Sequence, residues 1–174
     1  MKKLILSSIA IIGLIAFTSL TQNDDEKGKK LPSINIKDMA GNAINTAKVS
    51  NDGKPIVISF WATWCKPCKL ELNTIADEYE DWQEETGVIL IAVSIDDQRS
   101  VATVKTMTNG RDWPFQIYLD KNQSLKRALN VINIPHTLLL NGKGEIVWQR
   151  NSYVPGSEDE LFAEIKKILK EDSK

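Results

Sequence analysis

Metal-binding and thiol side chains are scarce in this sequence. Its 174 residues include two cysteines, Cys65 and Cys68, and one histidine, His136. Structural zinc sites usually take four cysteine or histidine ligands, so the cysteine pair is a poor match for half of a zinc site. A disulfide that closes so short a loop removes little entropy from the unfolded chain, which disfavours a purely structural bridge. The two cysteines are therefore candidates for redox chemistry.

Neither sign of charge is in excess, and no segment repeats. The 22 lysines and arginines are set against 23 aspartates and glutamates, which leaves a formal net charge of −1. A nucleic-acid-binding surface needs a concentration of basic residues, which this chain lacks. Low-complexity tracts are also missing. The stretch 31–174, about 144 residues, suits one domain with a sizeable core.

The N-terminal segment is the longest stretch without charge. It follows the basic start Met1-Lys2-Lys3 and runs from Leu4 to Asn23. This order is typical of a secretory signal, and roughly 20 uncharged residues also suffice for an uncleaved membrane anchor. We therefore predict a signal peptide or signal anchor over 1–22, a charged linker over 23–30 and an extracytoplasmic domain over 31–174.

The cysteines follow a pattern typical of a buried strand. Ile56–Phe60 is a short apolar, β-branched run, and Trp61–Trp64 carries the chain away from it. Cys65 then falls at the first turn of a predicted helix, where unpaired backbone N–H groups favour a thiolate. Cys68 lies one turn later and can close a disulfide with it. A thiolate is the nucleophile of disulfide exchange, so the placement fits that chemistry.

The segment Phe60–Cys68 resembles the active-site segment of thioredoxin-fold oxidoreductases. Glu71, three residues after Cys68, and the long segment from Ile95 to Ile134 resemble the TlpA/ResA-like branch of extracytoplasmic thiol-disulfide oxidoreductases. The resemblance covers roughly residues 31–174. It implies an α/β thioredoxin-like fold: a central mixed β-sheet flanked by helices, with an N-terminal hairpin and a central αβ insertion.

The resemblance also implies site residues around the cysteines. Pro135 occupies the place of a cis-proline beside the disulfide, where its ring keeps metal from the sulfurs; otherwise it only begins a strand. The backbone of Ile134 is expected to pair with an extended substrate. Trp64 is expected to form an apolar rim for substrate, whereas Trp61 is expected in the core. His136 is expected to be a packing or surface residue and not a ligand, and we assign it no catalytic role.

Two charged residues beside the cysteines each have two interpretations. Glu71 either tunes the thiols and relays protons near Cys68 as a partly buried acid, or is an ordinary solvated glutamate. Lys66 either stabilises the Cys65 thiolate or points into water. Ser59 stands where thioredoxin has a buried aspartate, and Asn73 stands where TlpA-like helices often have proline.

The remaining periodicity predicts alternating strands and helices. In the first half of the domain we expect a hairpin over 33–42, a strand over 56–60, a helix from Cys65 ended by Gly87, and a strand over 88–95. A helix capped by Asp96 and Asp97 and stopped by Gly110 should follow, then a strand over 114–119 and a short helix over 122–129. The domain should end with a hairpin that joins 137–140 to 145–148 around Asn141-Gly142, and with a helix opened by a capping box over 157–160.

These observations together predict a thiol-disulfide oxidoreductase, more as reductant than as oxidant. It needs no cofactor beyond a redox-active Cys65–Cys68 disulfide and no metal. The resemblance implies protein partners that bear thiols or disulfides, a membrane electron donor, and roles in redox homeostasis and cytochrome c maturation. The alternatives are a copper-binding chaperone using Cys65, Cys68 and His136, and a thiol peroxidase, although the threonine-containing motif of peroxidases is not found.

Overall fold

The computed structural model describes residues 28–172, so the predicted leader over 1–22 and most of the linker lie outside the described residues. Within that range the strands and α-helices are β1 (Asn35–Asp38), β2 (Ala43–Asn45), β3 (Ile56–Trp61), α1 (Lys66–Thr86), β4 (Ile89–Ser94), α2 (Val101–Asn109), β5 (Gln116–Leu119), α3 (Ser124–Ala128), β6 (His136–Leu140), β7 (Ile146–Asn151) and α4 (Ser157–Asp172). No helix in this part of the chain has both the length and the apolar composition to cross a bilayer.

The strands form one mixed sheet in the order β2-β1-β5-β4-β3-β6-β7. β3, β4 and β5 run parallel, and β1, β6 and β7 pair antiparallel to their neighbours. All six residues of β3 are buried, which suits an apolar strand at the centre of a sheet covered on both faces. The predicted α/β fold class is confirmed, and the helix and strand between Ile95 and Ile134 add β5 beside β4.

Helix α1 carries the cysteines into the core. It buries residues three or four positions apart, and Trp82 stacks on Phe162 of α4 with ring centroids 4.8 Å apart. Gly87 ends the helix in the left-handed conformation, and its N–H donates to the carbonyl oxygen of Gln83 at 2.8 Å. The helix begins one residue later than predicted, because Cys65 is its N-cap.

The predicted hairpin of β6 and β7 contains a register shift. Leu139 pairs with Trp148, whereas Leu140 pairs with Ile146, so Val147 is an extra residue in β7. Because side chains alternate between faces along a strand, this extra residue decides which side chains of β7 share a face with those of β6.

The predicted capping box at the start of α4 is wrong. Ser157 is already the first helical residue, and its hydroxyl accepts the N–H of Val154 at 3.3 Å. The Glu160 carboxylate lies 3.6 Å from Nη1 of Arg150 instead of returning to the helix end. The carboxylate that the local pattern assigned to a cap thus lies beside the half-buried Arg150 instead.

Candidate active site

The two cysteines form a disulfide where β3 ends and α1 begins. The S–S distance is 1.94 Å and the Cα atoms lie 5.4 Å apart. The Cys65 sulfur also accepts the N–H of Cys68 at 3.3 Å. Cys65 is 5% exposed and Cys68 is fully buried, so Cys65 is less exposed than predicted but is the cysteine that solvent reaches. Attack from outside can therefore come only at Cys65.

A carboxylate just after the neighbouring strand β4 holds the loop that leads to Cys65. The N–H and hydroxyl of Thr63 donate to Asp96 at 2.9 and 2.7 Å, and the Ser94 hydroxyl donates to it at 2.9 Å. Lys69 donates to the carbonyl oxygen of Thr63 at 2.8 Å. The predicted helix cap at Asp96 is wrong, because only Asp97 caps the 3-10 turn that precedes α2. The parallel pairing of β3 and β4 brings Asp96 to this loop.

The buried carboxylate of Glu71 lies over a polar row that crosses three strands. Ser59 pairs with Thr137, and Thr137 pairs with Arg150, so the three side chains share one face. Ser59 donates to Oε2 of Glu71 at 3.1 Å, and Thr137 and Arg150 donate to Oε1 at 2.9 and 3.1 Å. Three donors around one carboxyl group fit its acceptor-only, ionised form. Sequence reasoning missed Thr137 and Arg150, since their face depends on strand register.

Burial sets the acidity of Glu71. Its side chain is fully buried, and this desolvation raises the pKa of Glu71 above its ordinary value. The hydrogen bond from Thr137 and the charge of Arg150 act in the opposite direction, followed by the hydrogen bond from Ser59. Glu71 is more deeply buried than the partly buried acid that we predicted, so it is not a solvated glutamate, and its role near Cys68 stays a prediction. Glu71 lies one turn after Cys68 on the same buried side of α1.

Pro135 lies at the same end of the sheet as the disulfide. The Ile134–Pro135 peptide bond is cis, as predicted, and Pro135 is buried while Ile134 is half-buried. The carbonyl oxygen of Pro135 accepts the N–H of Ser152 at 2.9 Å. β6 starts directly after Pro135 and runs antiparallel to β3, which ends four residues before Cys65. The pairing of β3 with β6 therefore brings the proline and the cysteines to the same end of the sheet.

The two tryptophans of the motif have separate roles. Trp64 is 69% exposed beside the disulfide, whereas Trp61 is fully buried and packs edge-on against Trp113 with centroids 4.9 Å apart. Both placements agree with the predictions. Asn73, in place of the family's proline, accepts the indole N–H of Trp113 at 3.0 Å. Lys66 is exposed, in agreement with the interpretation that it points into water.

His136 packs inside the sheet. Its Nδ1 is hydrogen-bonded to Oδ1 of Asn151, and its ring meets Phe60 edge-on with centroids 6.4 Å apart. Burial lowers the pKa of His136 below its ordinary value of 6.5, so the neutral imidazole is favoured. Of the two expected placements, packing and surface, the structure shows packing. Across residues 28–172, no group of three or more histidine, cysteine, aspartate or glutamate side chains is arranged to hold a metal ion.

The chain is similar in sequence to known thiol-disulfide oxidoreductases, in agreement with the disulfide at this site. The profile of the AhpC/TSA family matches residues 27–149. Thiol-disulfide oxidoreductase ResA of Bacillus thuringiensis (strain Al Hakam) is 31% identical over 147 residues, which cover 81% of this chain and 82% of the relative. Sporulation thiol-disulfide oxidoreductase A of Bacillus subtilis is 28% identical over 146 residues, which cover 83% and 87%.

A solved structure shows the same fold at higher identity. The solution structure of an uncharacterized thioredoxin-like protein from Porphyromonas gingivalis superposes with a TM-score of 0.74 at 44% identity, and it covers 81% of this chain and 92% of that chain. The motif, the disulfide, the cis-proline and the buried glutamate all lie within residues 27–149, which the family profile matches. The chain belongs to the AhpC/TSA family, and within it the protein is a ResA-like thiol-disulfide oxidoreductase of thioredoxin-like fold.

Proposed function

We propose that this enzyme reduces disulfides in extracytoplasmic client proteins, with Cys65 as the nucleophile and Cys68 as the resolving thiol. The observation that carries the proposal is the difference between the two sulfurs. Cys65 caps the helix and retains access to solvent, whereas Cys68 is sealed in the core one turn later. An incoming disulfide can meet only the first of them, and only the second is left to resolve the adduct.

The reaction balances without a cofactor. The Cys65 thiolate attacks one sulfur of a client disulfide, forms a mixed disulfide and releases a client thiolate, which takes up a proton. The Cys68 thiol then loses its proton, attacks Cys65 and releases the second client thiolate. The client gains two electrons and two protons, and the enzyme is left with its Cys65–Cys68 disulfide. A dithiol donor on the membrane returns the electrons by the same exchange in reverse.

Glu71 is the proposed proton acceptor for Cys68. Burial raises the pKa of Glu71, and a carboxyl group with a raised pKa is a better proton acceptor than an ordinary glutamate. Its negative charge, when present, also disfavours a thiolate at Cys68 one turn away. An anion that destabilises the reduced thiolate makes the couple more reducing, which supports the direction proposed here.

The surface around the disulfide suits a protein client. Among residues 28–172, the large apolar side chains that are exposed are Trp64, Leu70, Ile132 and Val154, which we call the apolar rim. Trp64, Ile132 and Val154 lie in loops at the end of the sheet where β3 ends and β6 begins, and Leu70 lies near the start of α1 at the same end. Contiguous exposed apolar surface marks protein contacts, and we propose that the apolar rim meets the client in this way. The backbone of Ile134 is proposed to pair with an extended client segment.

The location outside the cytoplasm is proposed from residues 1–22, whose basic start and uncharged run fit an export signal or anchor. We propose apocytochromes c as clients, because they carry a C-x-x-C-H haem-attachment pair and a role in cytochrome c maturation requires its reduction. A reporter fused after Lys30 should be active only outside the cytoplasm.

Trapping tests the assignment of the two thiols. In Cys68→Ser, the mixed disulfide at Cys65 cannot be resolved, so covalent client adducts should accumulate and dissolve on reduction. Cys65→Ser is the matched control and should form none, because its remaining thiol is buried. Adducts on the control variant would reverse the assignment. Peroxide consumption or stoichiometric copper binding by the reduced wild type, without client adducts, would favour a peroxidase or a copper chaperone instead.

A further inference from the structure

Arg150 reaches the buried carboxylate from the edge strand of the sheet. It lies on β7 opposite Thr137, its side chain is 13% exposed, and its Nη2 donates to Oε1 of Glu71 at 3.1 Å. Arginine keeps its charge at any pH at which the protein is folded. A fixed positive charge therefore contacts Glu71, whose carboxyl group is pushed toward the neutral form by burial and toward the ionised form by its hydrogen bonds.

The guanidinium also has contacts through Nη1 and through its flat face, although its Nε is buried without a hydrogen-bond partner among residues 28–172. Its Nη1 donates to the carbonyl oxygen of Ser157 and lies 3.6 Å from the carboxylate of Glu160. The guanidinium carbon stands 5.4 Å from the ring centre of Trp148, within cation–π distance. These contacts come from α4 and from β7 itself, so Arg150 keeps its place beside Glu71 independently of the disulfide.

The other elements around Glu71 contribute neutral or negatively charged side chains, in contrast to the positive charge of Arg150. The side chains from β3 and β6 are neutral hydroxyls, and α4 contributes Glu158 and Glu160. Tyr153, in the loop before α4, has a pKa raised chiefly by burial and further by the charges of Glu158 and Glu71. Of the described residues, Arg150 alone forms a salt bridge with Glu71.

We infer that Arg150 is a positioning residue that holds Glu71 in its ionised form and thereby keeps the Cys65–Cys68 couple reducing. This inference rests on the role proposed above for Glu71. Without the guanidinium, burial shifts the carboxyl group of Glu71 toward its protonated form, so less negative charge remains next to Cys68. Uptake of two electrons and two protons by the disulfide then becomes easier.

Redox titration of the full-length chain across neutral and alkaline pH tests this inference. Arg150→Met should shift the thiol–disulfide equilibrium toward the dithiol roughly tenfold at neutral pH, which is ~30 mV for a two-electron couple. The shift should shrink at alkaline pH, where Glu71 ionises without help. Arg150→Lys keeps the charge and should stay near the wild type. Arg99→Met removes an arginine that is 91% exposed and should change nothing.

The double variant separates an effect through Glu71 from a general one. Glu71→Gln should raise the potential by itself, and adding Arg150→Met should raise it no further. An equal rise in both backgrounds, no rise in either, or a lysine variant as shifted as the methionine variant overturns the inference. Arg150→Gln replaces the methionine variant if circular dichroism shows that the latter does not fold.

The same set distinguishes this inference from the proposed function. If Glu71→Gln leaves the potential unchanged, the proposed role of Glu71 fails and the role of Arg150 fails with it. If Glu71→Gln raises the potential and Arg150→Met does not, only the inference about Arg150 fails. Adduct trapping by Cys68→Ser is unaffected in both cases.

Discussion

At the scale of single residues, the loop before Cys65 depends on one carboxylate. Asp96 is 4% exposed and accepts three hydrogen bonds, two of them from Thr63. The two from Thr63 tie the loop to the segment after β4, and the one from Ser94 holds Asp96 at the strand end, so the parallel pairing of β3 and β4 helps to fix the position of the nucleophile. Removing the acceptor leaves three donors without a partner, which costs more than the net strength of the bonds themselves.

Asp96→Ala should therefore lower the free energy of unfolding by about 2–4 kcal/mol. It should also slow disulfide exchange, because the Cys65 sulfur is no longer held at the helix start. Denaturant unfolding and exchange with a model disulfide measure the two effects. Asp97→Ala is the matched control: it removes only a cap of an exposed 3-10 turn and should cost about 1 kcal/mol with normal exchange. Equal losses in both variants would contradict the anchoring role.

His136 should make the fold sensitive to mild acid. Its folded-state pKa is lowered, first by burial, while hydrogen bonds to Asn151 and Gln149 oppose the shift. Above pH 6.5 both folded and unfolded chains hold it neutral. As the pH falls below 6.5, the unfolded chain binds the proton first, so stability is lost between 6.5 and the lower folded pKa. Urea unfolding across this range should show a shallower loss for His136→Gln; parallel curves for the two proteins would contradict this.

The residues of the site differ in how far the sequence could predict them. The cysteine pair, the position of Pro135 and the spacing from Cys68 to Glu71 are all local, so they could be predicted from the sequence and from family resemblance. Asp96 and Arg150 reach the site only through strand pairing. Local patterns therefore assigned Asp96 to a helix cap, and they assigned no role to Arg150.

At the scale of elements, the β6–β7 hairpin decides which residue faces Glu71. The Asn-Gly pair and the alternating strands predicted the hairpin correctly. In a regular ladder continued from the Leu140–Ile146 pair, Gln149 stands opposite Thr137. The extra residue Val147 moves that place to Arg150. No simple pattern in the strands signals the bulge, so the facing of Arg150 could not be predicted from the sequence.

The turn of this hairpin also packs tightly against the loop before β3. A Cβ atom on Gly142 would lie 2.0 Å from the carbonyl oxygen of Gly53, which is backbone and cannot turn aside. Gly142→Ala should therefore destabilise the protein by about 2–3 kcal/mol, in the range of overpacked sites. Gly144 is the control, because it has a φ of +75° but open space around it. Its alanine variant should cost about 1 kcal/mol, and thermal melts compare the two. Equal losses would exclude the steric explanation.

At the scale of the whole molecule, the two ends of the sheet differ in chemistry. The disulfide, Pro135 and the apolar rim share one end. The other end holds a cavity of about 280 Å³ lined by Lys30, Lys48, Lys54 and Lys143, without a carboxylate in its lining. The parallel strands and the hairpins could be predicted from periodicity, but the strand order could be predicted only from the resemblance. The difference between the two ends depends on the strand order, so periodicity alone could not predict it.

This difference between the two ends predicts how substrate size affects the rate. A protein client must cover the apolar rim to bring its disulfide to Cys65, whereas a small disulfide needs only the 5% of Cys65 that is exposed. Trp64 and Ile132 are 69% and 77% exposed, so replacing them removes contact area without opening the core. An aromatic anchor at an interface contributes about 2 kcal/mol, or roughly thirtyfold.

Trp64→Ala combined with Ile132→Ser should therefore lower kcat/KM for a disulfide-bonded protein by at least about tenfold, mainly through KM. The rate with a small aromatic disulfide should stay close to that of the wild type, since the sulfurs and their helix are untouched. Lys143→Ser, at the opposite end of the sheet, is the control and should leave both rates unchanged. Equal losses with protein and small substrate would show that the substitutions disturb the disulfide itself. Unchanged rates with both would show that clients approach Cys65 without using the apolar rim.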